Sequence, residues 1–292
     1  MRPSPLPPMD ALLEREFARP MLEQLAGRVA QGERPWFALN GPVGAGKSLF
    51  CQQLLALARP LGLRLAVASI DDLYLPWQQR AEAMAGNPFG VNRVPPGSHD
   101  AALLVERLSR WRAGGPLRLP RFDKTLRGGE GDRIKEEPSS AGDWGDALVI
   151  EGWLMGCRPV QLASLPSQAG LALAPGQPPL SPEEASWLVE WDRRLGAYGP
   201  LFDGCDGLWL LRPQHWGLPR RWRFQAEARQ RRRGGAWLAP EALERLVRSS
   251  LASLPPALYQ EPLGSIAKAS ALLNGRRQCL RVEVPGVGSP WR

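Results

Sequence analysis

Eight consecutive residues, Gly41-Pro42-Val43-Gly44-Ala45-Gly46-Lys47-Ser48, carry the strongest chemical signal in the sequence. They fit GxxxxGK[ST]. Glycines at these positions let the backbone wrap so that successive N–H groups converge on one centre, and a helix starting at the end of the loop adds the partial positive charge of its N-terminus. A lysine at this place reaches the β- and γ-phosphates of a nucleotide, and the hydroxyl after it ligates Mg²⁺. Context separates the motif from an ordinary glycine-rich turn. Trp36 to Asn40 (WFALN) reads as a short apolar strand and Ser48 to Ala58 as a helix, so strand, loop and helix stand in the required order. Lysine is also scarce: of 37 basic side chains only Lys47, Lys124, Lys135 and Lys268 are lysines, so one inside a motif is informative. Gly41, Pro42, Val43, Gly44, Ala45, Gly46, Lys47, Ser48 and Leu49 are therefore the expected site for a nucleoside triphosphate, with Lys47 catalytic and Ser48 on the metal.

A second chemical group follows the next strand. Ser69-Ile-Asp-Asp-Leu-Tyr74 stands at the C-terminal end of an apolar run from Leu63 to Ile70, and ligands of open α/β sheets collect at that edge. A carboxylate there can take the proton of an acceptor hydroxyl as it attacks phosphorus. Asp71 is the expected base. Either aspartate could instead cap a following helix, and for Asp72 that use is favoured. The apolar strand Ala147 to Ile150 ends in Glu151 and Gly152, a single carboxylate suited to Mg²⁺ or its water shell. No NKxD guanine signature is present, and the carboxylate pair of an ATPase motor is missing. Both observations favour a small-molecule kinase.

Groups for an anionic, hydroxylated acceptor come next. His99 and Asp100 follow the stiff Pro95-Pro96-Gly97 turn and could hold hydroxyls or open a helix. Arg121, Asp123 and Lys124 flank a strand end, and Arg127, Asp132 and Arg133 fall in a Gly-rich stretch, Asp123 to Asp143, with the look of a functional loop. Arginine forks bind carboxylate or phosphate with paired hydrogen bonds, whereas lysine acts as a mobile point charge, and its rarity singles out Lys124. The most basic stretch, Arg220 to Arg233, interleaves Trp222 and Phe224. It reads as a lid over about 216–235 that neutralises the transferring phosphoryl group, with Arg223 its best single candidate and Arg231 to Arg233 as surface charge; the alternative is a nucleic-acid stripe.

The elements that must position these groups alternate along the 292 residues. An amphipathic helix over residues 10–31 is expected to pack outside the core, making 1–33 an N-terminal helical segment and 34–292 the kinase domain. Helices are expected over Asp100 to Trp111, Glu183 to Leu195 and Pro240 to Leu254, with a basic helix or hinge over Trp222 to Arg233. Further strands are expected at Leu117 to Phe122, Gly207 to Leu211 and Cys279 to Val284. Residues 161–182, rich in Pro, Ala, Leu and Ser, read as a low-complexity surface insertion. Together these predict an α/β, P-loop NTPase-type three-layer fold, with a mostly parallel central sheet, helices on both faces and a lid. A hydrophobic content of 43% supports a sizeable core. Four scattered cysteines and two histidines argue against structural zinc and for reduced thiols in the cytoplasm. The first residues lack an apolar targeting core, and no run of eighteen apolar residues occurs, so no membrane span is expected. The net charge of +8 is read as an arginine-rich coding bias together with binding of anionic small molecules, ahead of nucleic acid.

Six segments in order carry a resemblance: Ser69 to Tyr74 (SIDDLY), Pro96 to Asp100 (PGSHD), Pro120 to Thr125 (PRFDKT), Gly129 to Arg133 (GEGDR), Val149 to Trp153 (VIEGW) and Trp222 to Glu227 (WRFQAE). The chain resembles the D-glycerate 3-kinase family, of plant, fungal and cyanobacterial type, which is related to phosphoribulokinase and uridine kinase. The likeness covers about residues 34–260. Leu73 stands where the family has Phe and Ser98 where it has Thr; 161–182 and the tail after about 260 match no motif. The resemblance implies transfer of phosphate from ATP, with Mg²⁺, to D-glycerate, giving 3-phosphoglycerate, the closing step of photorespiratory carbon recovery. It implies acceptor contacts for Asp72, Tyr74, His99, Asp100, Arg121, Asp123, Lys124 and Arg133. The alternatives are a related kinase for a nucleoside, pantothenate or a sugar phosphate, and a nucleic-acid-responsive ATPase.

Overall fold

The computed structural model describes residues 6–134, 145–232 and 238–286; the end of the expected loop to Asp143, and of the lid from Arg233, lie outside these residues. The strands are β1 (Trp36–Asn40), β2 (Leu65–Ser69), β3 (Arg121–Asp123), β4 (Asp132–Ile134), β5 (Ala147–Gly152), β6 (Gly207–Pro213), β7 (Ala269–Leu273) and β8 (Cys279–Glu283). The helices are α1 (Ala11–Leu13), running through a π-helical turn (Glu14–Ala18) into α2 (Arg19–Ala30), then α3 (Lys47–Ala58), α4 (Trp77–Ala83), α5 (Ala101–Arg112), α6 (Pro182–Leu195), α7 (Gly199–Asp203), α8 (Leu218–Arg232) and α9 (Pro240–Ser253). The main sheet has the order β2-β5-β1-β6-β7-β8. Its first five strands are parallel and β8 closes one edge antiparallel to β7, while β3 and β4 form a separate hairpin.

The central strands are apolar without interruption because both of their faces are covered. Successive side chains point to opposite faces. Trp36, Ala38, Leu148 and Ile150 thus join one core with residues of α5, α6 and α9, and Phe37, Leu39, Val149 and Trp209 join a second core with residues of α2 and α3. This is the expected three-layer α/β arrangement. The first helix, expected outside the core, is instead one of its walls: Phe17, Met21 and Leu25 are fully buried, and Phe17 meets Trp209 edge-on at 5.1 Å.

Other departures have local causes. The expected strand Leu117 to Phe122 shrinks to β3, since Pro116 and Pro120 remove backbone donors. The strand expected from Leu63 to Ile70 is β2, and Ile70 enters a 3₁₀ turn (Ile70–Leu73). β7 was not anticipated: Ala-Ser-Ala-Leu-Leu has little strand propensity, and pairing with β6 and β8 imposes the extended form. The stretch 161–182 is not merely superficial. Leu162, Leu173 and Leu180 enter the first core, and Gly170 and Leu180 N–H groups bond back to Leu180 and Leu171 carbonyls.

Candidate active site

Three neighbouring parallel strands end together. β1 pairs with β5 so that Leu39 faces Glu151, and β5 pairs with β2 so that Glu151 faces Ser69. The loop after β1, Glu151 and the turn holding Asp71 and Asp72 therefore meet at one edge of the sheet. Gly46 caps α3 with φ +95° and Gly44 holds φ +76°, a region glycine enters without strain. A Cβ on Gly44 would lie 2.8 Å from the Arg223 nitrogen and from the Trp222 Cβ, so the start of α8 rests directly on the loop. Lys47 Nζ donates to the carbonyls of Gly41 (2.8 Å) and Pro42 (3.2 Å) and lies 3.8 Å from a Glu151 oxygen; Ser48 Oγ donates to the other at 2.7 Å.

On the far side, Ser69 Oγ caps the 3₁₀ turn by accepting from the Asp71 N–H at 3.3 Å. Neither aspartate caps the following helix. α4 is instead met from across the chain by Asp132, which accepts from the Trp77 N–H at 2.9 Å. Asp71 accepts from Lys124 Nζ at 2.8 Å. Burial pushes the Asp71 carboxyl up, but the Lys124 ammonium, with Lys47 nearby, outweighs it and holds the group well below the usual carboxylate range. Asp72 accepts from the Phe122 N–H at 3.2 Å and lies 3.7 Å from Arg121; burial pulls its carboxyl up.

Behind these carboxylates sits an aromatic stack. The Tyr74 ring lies 4.3 Å from that of His99 and 4.9 Å from that of Phe122. Burial first, then the adjacent Asp71 carboxylate, push the Tyr74 hydroxyl well above its usual value. His99 Nδ1 lies 2.9 Å from the Tyr198 hydroxyl, and burial lowers the imidazole to about 4, so it is neutral near pH 7. Asp100 caps α5 by accepting from the Leu103 N–H, the alternative to the acceptor contact expected of it, and also takes Arg133 Nη2 at 3.2 Å. Arg133 in turn donates to the Tyr74 and Leu73 carbonyls at 2.5 and 3.1 Å. Asp100 and Arg133 thus buttress the Asp71 turn from behind.

A cavity of about 570 Å³ joins the two sides. Lys47, Ser48, Asp71, Asp72, Tyr74 and Lys124 line it, with Glu151, Arg223 and the loop residues Val43, Gly44, Gly46 and Leu49. Gly41, Pro42 and Ala45 frame the loop without lining the cavity; His99, Asp100 and Arg133 stand behind the wall. Arg121 is largely exposed, and Asp123 accepts from the Thr125 N–H and hydroxyl. The cavity also presents Arg229, which falls within the expected lid, and Arg93 and Arg277, which sequence reasoning missed because no single arginine stands out among so many. Arg277, in the β7–β8 turn, donates to the Gly44 carbonyl at 2.7 Å and the Trp222 carbonyl at 2.9 Å, tying the loop to α8.

The basic stretch is a helix whose charges have several destinations. Arg223 pairs with Glu227 at 3.0 Å and Arg220 with Glu244 at 2.8 Å. Burial lowers the Arg223 guanidinium from its usual value. Trp222 is fully buried and Phe224 lies under Arg220, 5.1 Å from its guanidinium carbon, so these rings form no open platform for stacking bases. Among the described residues no cluster of three or more His, Cys, Asp or Glu could hold a metal ion by itself. The Ser48 hydroxyl and Glu151 carboxylate are hard oxygen donors side by side, a partial set that fits Mg²⁺ when phosphate oxygens and water complete the shell. No helix among the described residues is long and apolar enough to cross a membrane.

No family model matches the chain. It is 28% identical over 239 residues to the chloroplastic D-glycerate 3-kinase of Arabidopsis thaliana, which covers 77% of this chain and 49% of that protein. It is also 28% identical over 213 residues to the uncharacterized kinase mug58 of Schizosaccharomyces pombe, covering 66% of this chain and 70% of that one. Among solved structures, D-glycerate 3-kinase from Cryptococcus neoformans superposes with a TM-score of 0.71 at 21% identity, over 92% of this chain and 99% of that one. The chain is similar to D-glycerate 3-kinase in sequence and in fold. The YGR205w protein has the same fold at TM-score 0.69 and 20% identity, over 93% and 99% of the two chains. The likeness in structure bears out the expected α/β fold. The chain spans about half the length of the Arabidopsis relative.

Proposed function

We propose that this chain is an ATP- and Mg²⁺-dependent kinase that phosphorylates the 3-hydroxyl of D-glycerate, giving 3-phosphoglycerate and ADP. The observation that carries the reading is the placement of the Asp71 carboxylate and the Lys47 ammonium in the walls of one cavity, beyond the ends of β2 and β1, the two strands that flank β5. The curated and structural relatives named as D-glycerate 3-kinases support it.

The loop from Gly41 to Ser48 would hold the phosphates through its backbone N–H groups, with the N-terminus of α3 behind them. Lys47 has carbonyl contacts that anionic phosphates would replace with charge-assisted hydrogen bonds. The Ser48 hydroxyl and the Glu151 carboxylate would hold Mg²⁺, which would neutralise charge on the phosphates. Asp71 is ionised at neutral pH and would orient the acceptor hydroxyl and take its proton as the new O–P bond forms; the electron pair of the breaking bond leaves with the ADP oxygen. So low a proton affinity makes Asp71 a positioning group first, loaded late as the oxygen bonds to phosphorus. Lys124 holds Asp71 in place, and Arg223 and Arg229 face the phosphoryl-transfer region from α8. The four free cysteines suit a reducing compartment such as the cytoplasm. Within this reading the reaction would close photorespiratory carbon recovery.

The test is ADP release from purified protein with ATP, Mg²⁺ and a panel of acceptors: D-glycerate, a nucleoside, pantothenate and a sugar phosphate, each with and without single-stranded nucleic acid. The reading expects turnover dependent on D-glycerate alone. Turnover with another acceptor, or hydrolysis stimulated by nucleic acid and suppressed by salt, would replace it.

A further inference from the structure

Arg93 is a buried cation of the cavity that no carboxylate among the described residues neutralises. Lys124 is paired with Asp71 at 2.8 Å and Arg223 with Glu227 at 3.0 Å. The Arg93 side chain is buried, with 8% of its surface exposed, yet it lines the cavity beside Asp71 and Tyr74. Among the described residues no carboxylate pairs with it, and its hydrogen bond is a long one, 3.4 Å, to the Glu130 carbonyl. Two of the charges facing it from neighbouring elements are positive, Arg80 on α4 and Arg223 on α8. A buried guanidinium in such company calls for an anion.

The backbone around it is held for that purpose. Val94, the next residue, also lines the cavity and has φ +91°, a conformation a β-branched residue rarely adopts, and it precedes a proline, which favours extended backbone. Strain of this kind persists only where flanking structure over-determines it. Here both flanks are pinned. Asn87 brackets Val91, donating to its carbonyl at 2.6 Å and accepting from its N–H at 3.3 Å. Beyond the turn, Ser98 donates its hydroxyl to the Pro95 carbonyl at 2.7 Å and accepts the Leu75 N–H at its own carbonyl at 2.9 Å.

We infer that Arg93 binds the carboxylate of the acceptor and so selects hydroxy acids over neutral polyols. This rests on the D-glycerate reading above and names the residue that would enforce it. The planar fork can meet a carboxylate with two parallel hydrogen bonds while the acceptor's hydroxyl lies toward Asp71. Lys124, on which the sequence pointed most sharply for this role, is already occupied by Asp71.

The test compares wild type, Arg93→Gln and Arg93→Lys with D-glycerate and with its uncharged amide, D-glyceramide, at saturating ATP. Binding of a fluorescent ATP analogue serves as the check on folding. The expected result is a rise in KM for D-glycerate of about 30-fold or more in Arg93→Gln and a smaller rise in Arg93→Lys, with ATP affinity within about 3-fold of wild type. The preference for D-glycerate over the amide should collapse. Wild-type turnover of D-glycerate with the preference unchanged in Arg93→Gln would overturn the inference alone. A loss falling on ATP affinity would assign Arg93 to the nucleotide and also overturn it. Absence of D-glycerate turnover in the wild type would overturn the functional reading, and this inference with it.

Discussion

The two halves of the cavity are built in different ways. The nucleotide half is one continuous loop between β1 and α3, held by backbone geometry and by Gly44, which allows α8 to sit on it. The acceptor half gathers Asp71, Arg93 and Lys124 from separate loops and fixes them through side chains: Lys124 to Asp71, Arg133 to Asp100 and to the Leu73 and Tyr74 carbonyls, Ser98 to Pro95. A backbone cradle can serve any nucleoside triphosphate, whereas a side-chain assembly can be altered one group at a time. Under the proposed function, nucleotide binding and acceptor choice would reside in separate parts of one site.

The comparison can be broken most severely at Lys47. Lys47→Ala removes the charge that would meet the phosphates, and turnover is expected to fall by about 10³-fold or more in steady-state assays. Gly44→Ala attacks the same half through packing. It combines a left-handed φ with a contact of 2.8 Å against α8, so KM for ATP should rise by about tenfold or more, and thermal unfolding should show a loss of about 1–3 kcal/mol. Arg133→Gln tests the other half. Its buttress touches no substrate in this account, so kcat/KM for the acceptor should drop by about tenfold, with KM for ATP nearly unchanged.

A smaller effect sharpens the role of the aromatic wall. His99 titrates near 4 when folded and near its ordinary 6.5 when unfolded. Between these values the unfolded chain binds more protons, so the stability associated with a neutral His99 is complete above pH 6.5 and is lost as pH falls toward 4. From pH 7 to pH 5 this amounts to about 2 kcal/mol. Chemical denaturation at the two pH values should show a difference smaller by that amount in His99→Gln. An unchanged difference would mean that His99 is not the titrating group.

How much of this was legible follows from locality. The P-loop lies within eight residues, and its strand and helix are marked by their own apolar patterns. Asp71 and Glu151 were legible because each ends an apolar run, and parallel strands bring such ends to one edge. Asp100 and Arg133 were singled out, but their role was not visible, because a buttress is defined by what it touches across the chain. Arg93 and Arg277 were illegible among so many arginines. The turn carrying Arg277 follows β7, whose small residues become a strand only through burial between β6 and β8. The stretch 161–182 has the composition of a loop, and only the fold shows three of its leucines in the core.

The central claim, that Asp71 serves the acceptor's chemistry while a separate backbone cradle holds ATP, is tested most directly in Asp71→Asn. D-Glycerate-dependent turnover and ATP affinity are measured on the same preparation. Turnover about 10²- to 10⁴-fold below wild type, with ATP affinity nearly intact, is the expected outcome. An Asn variant that stays fully active, or one that loses ATP binding in proportion to turnover, contradicts the account.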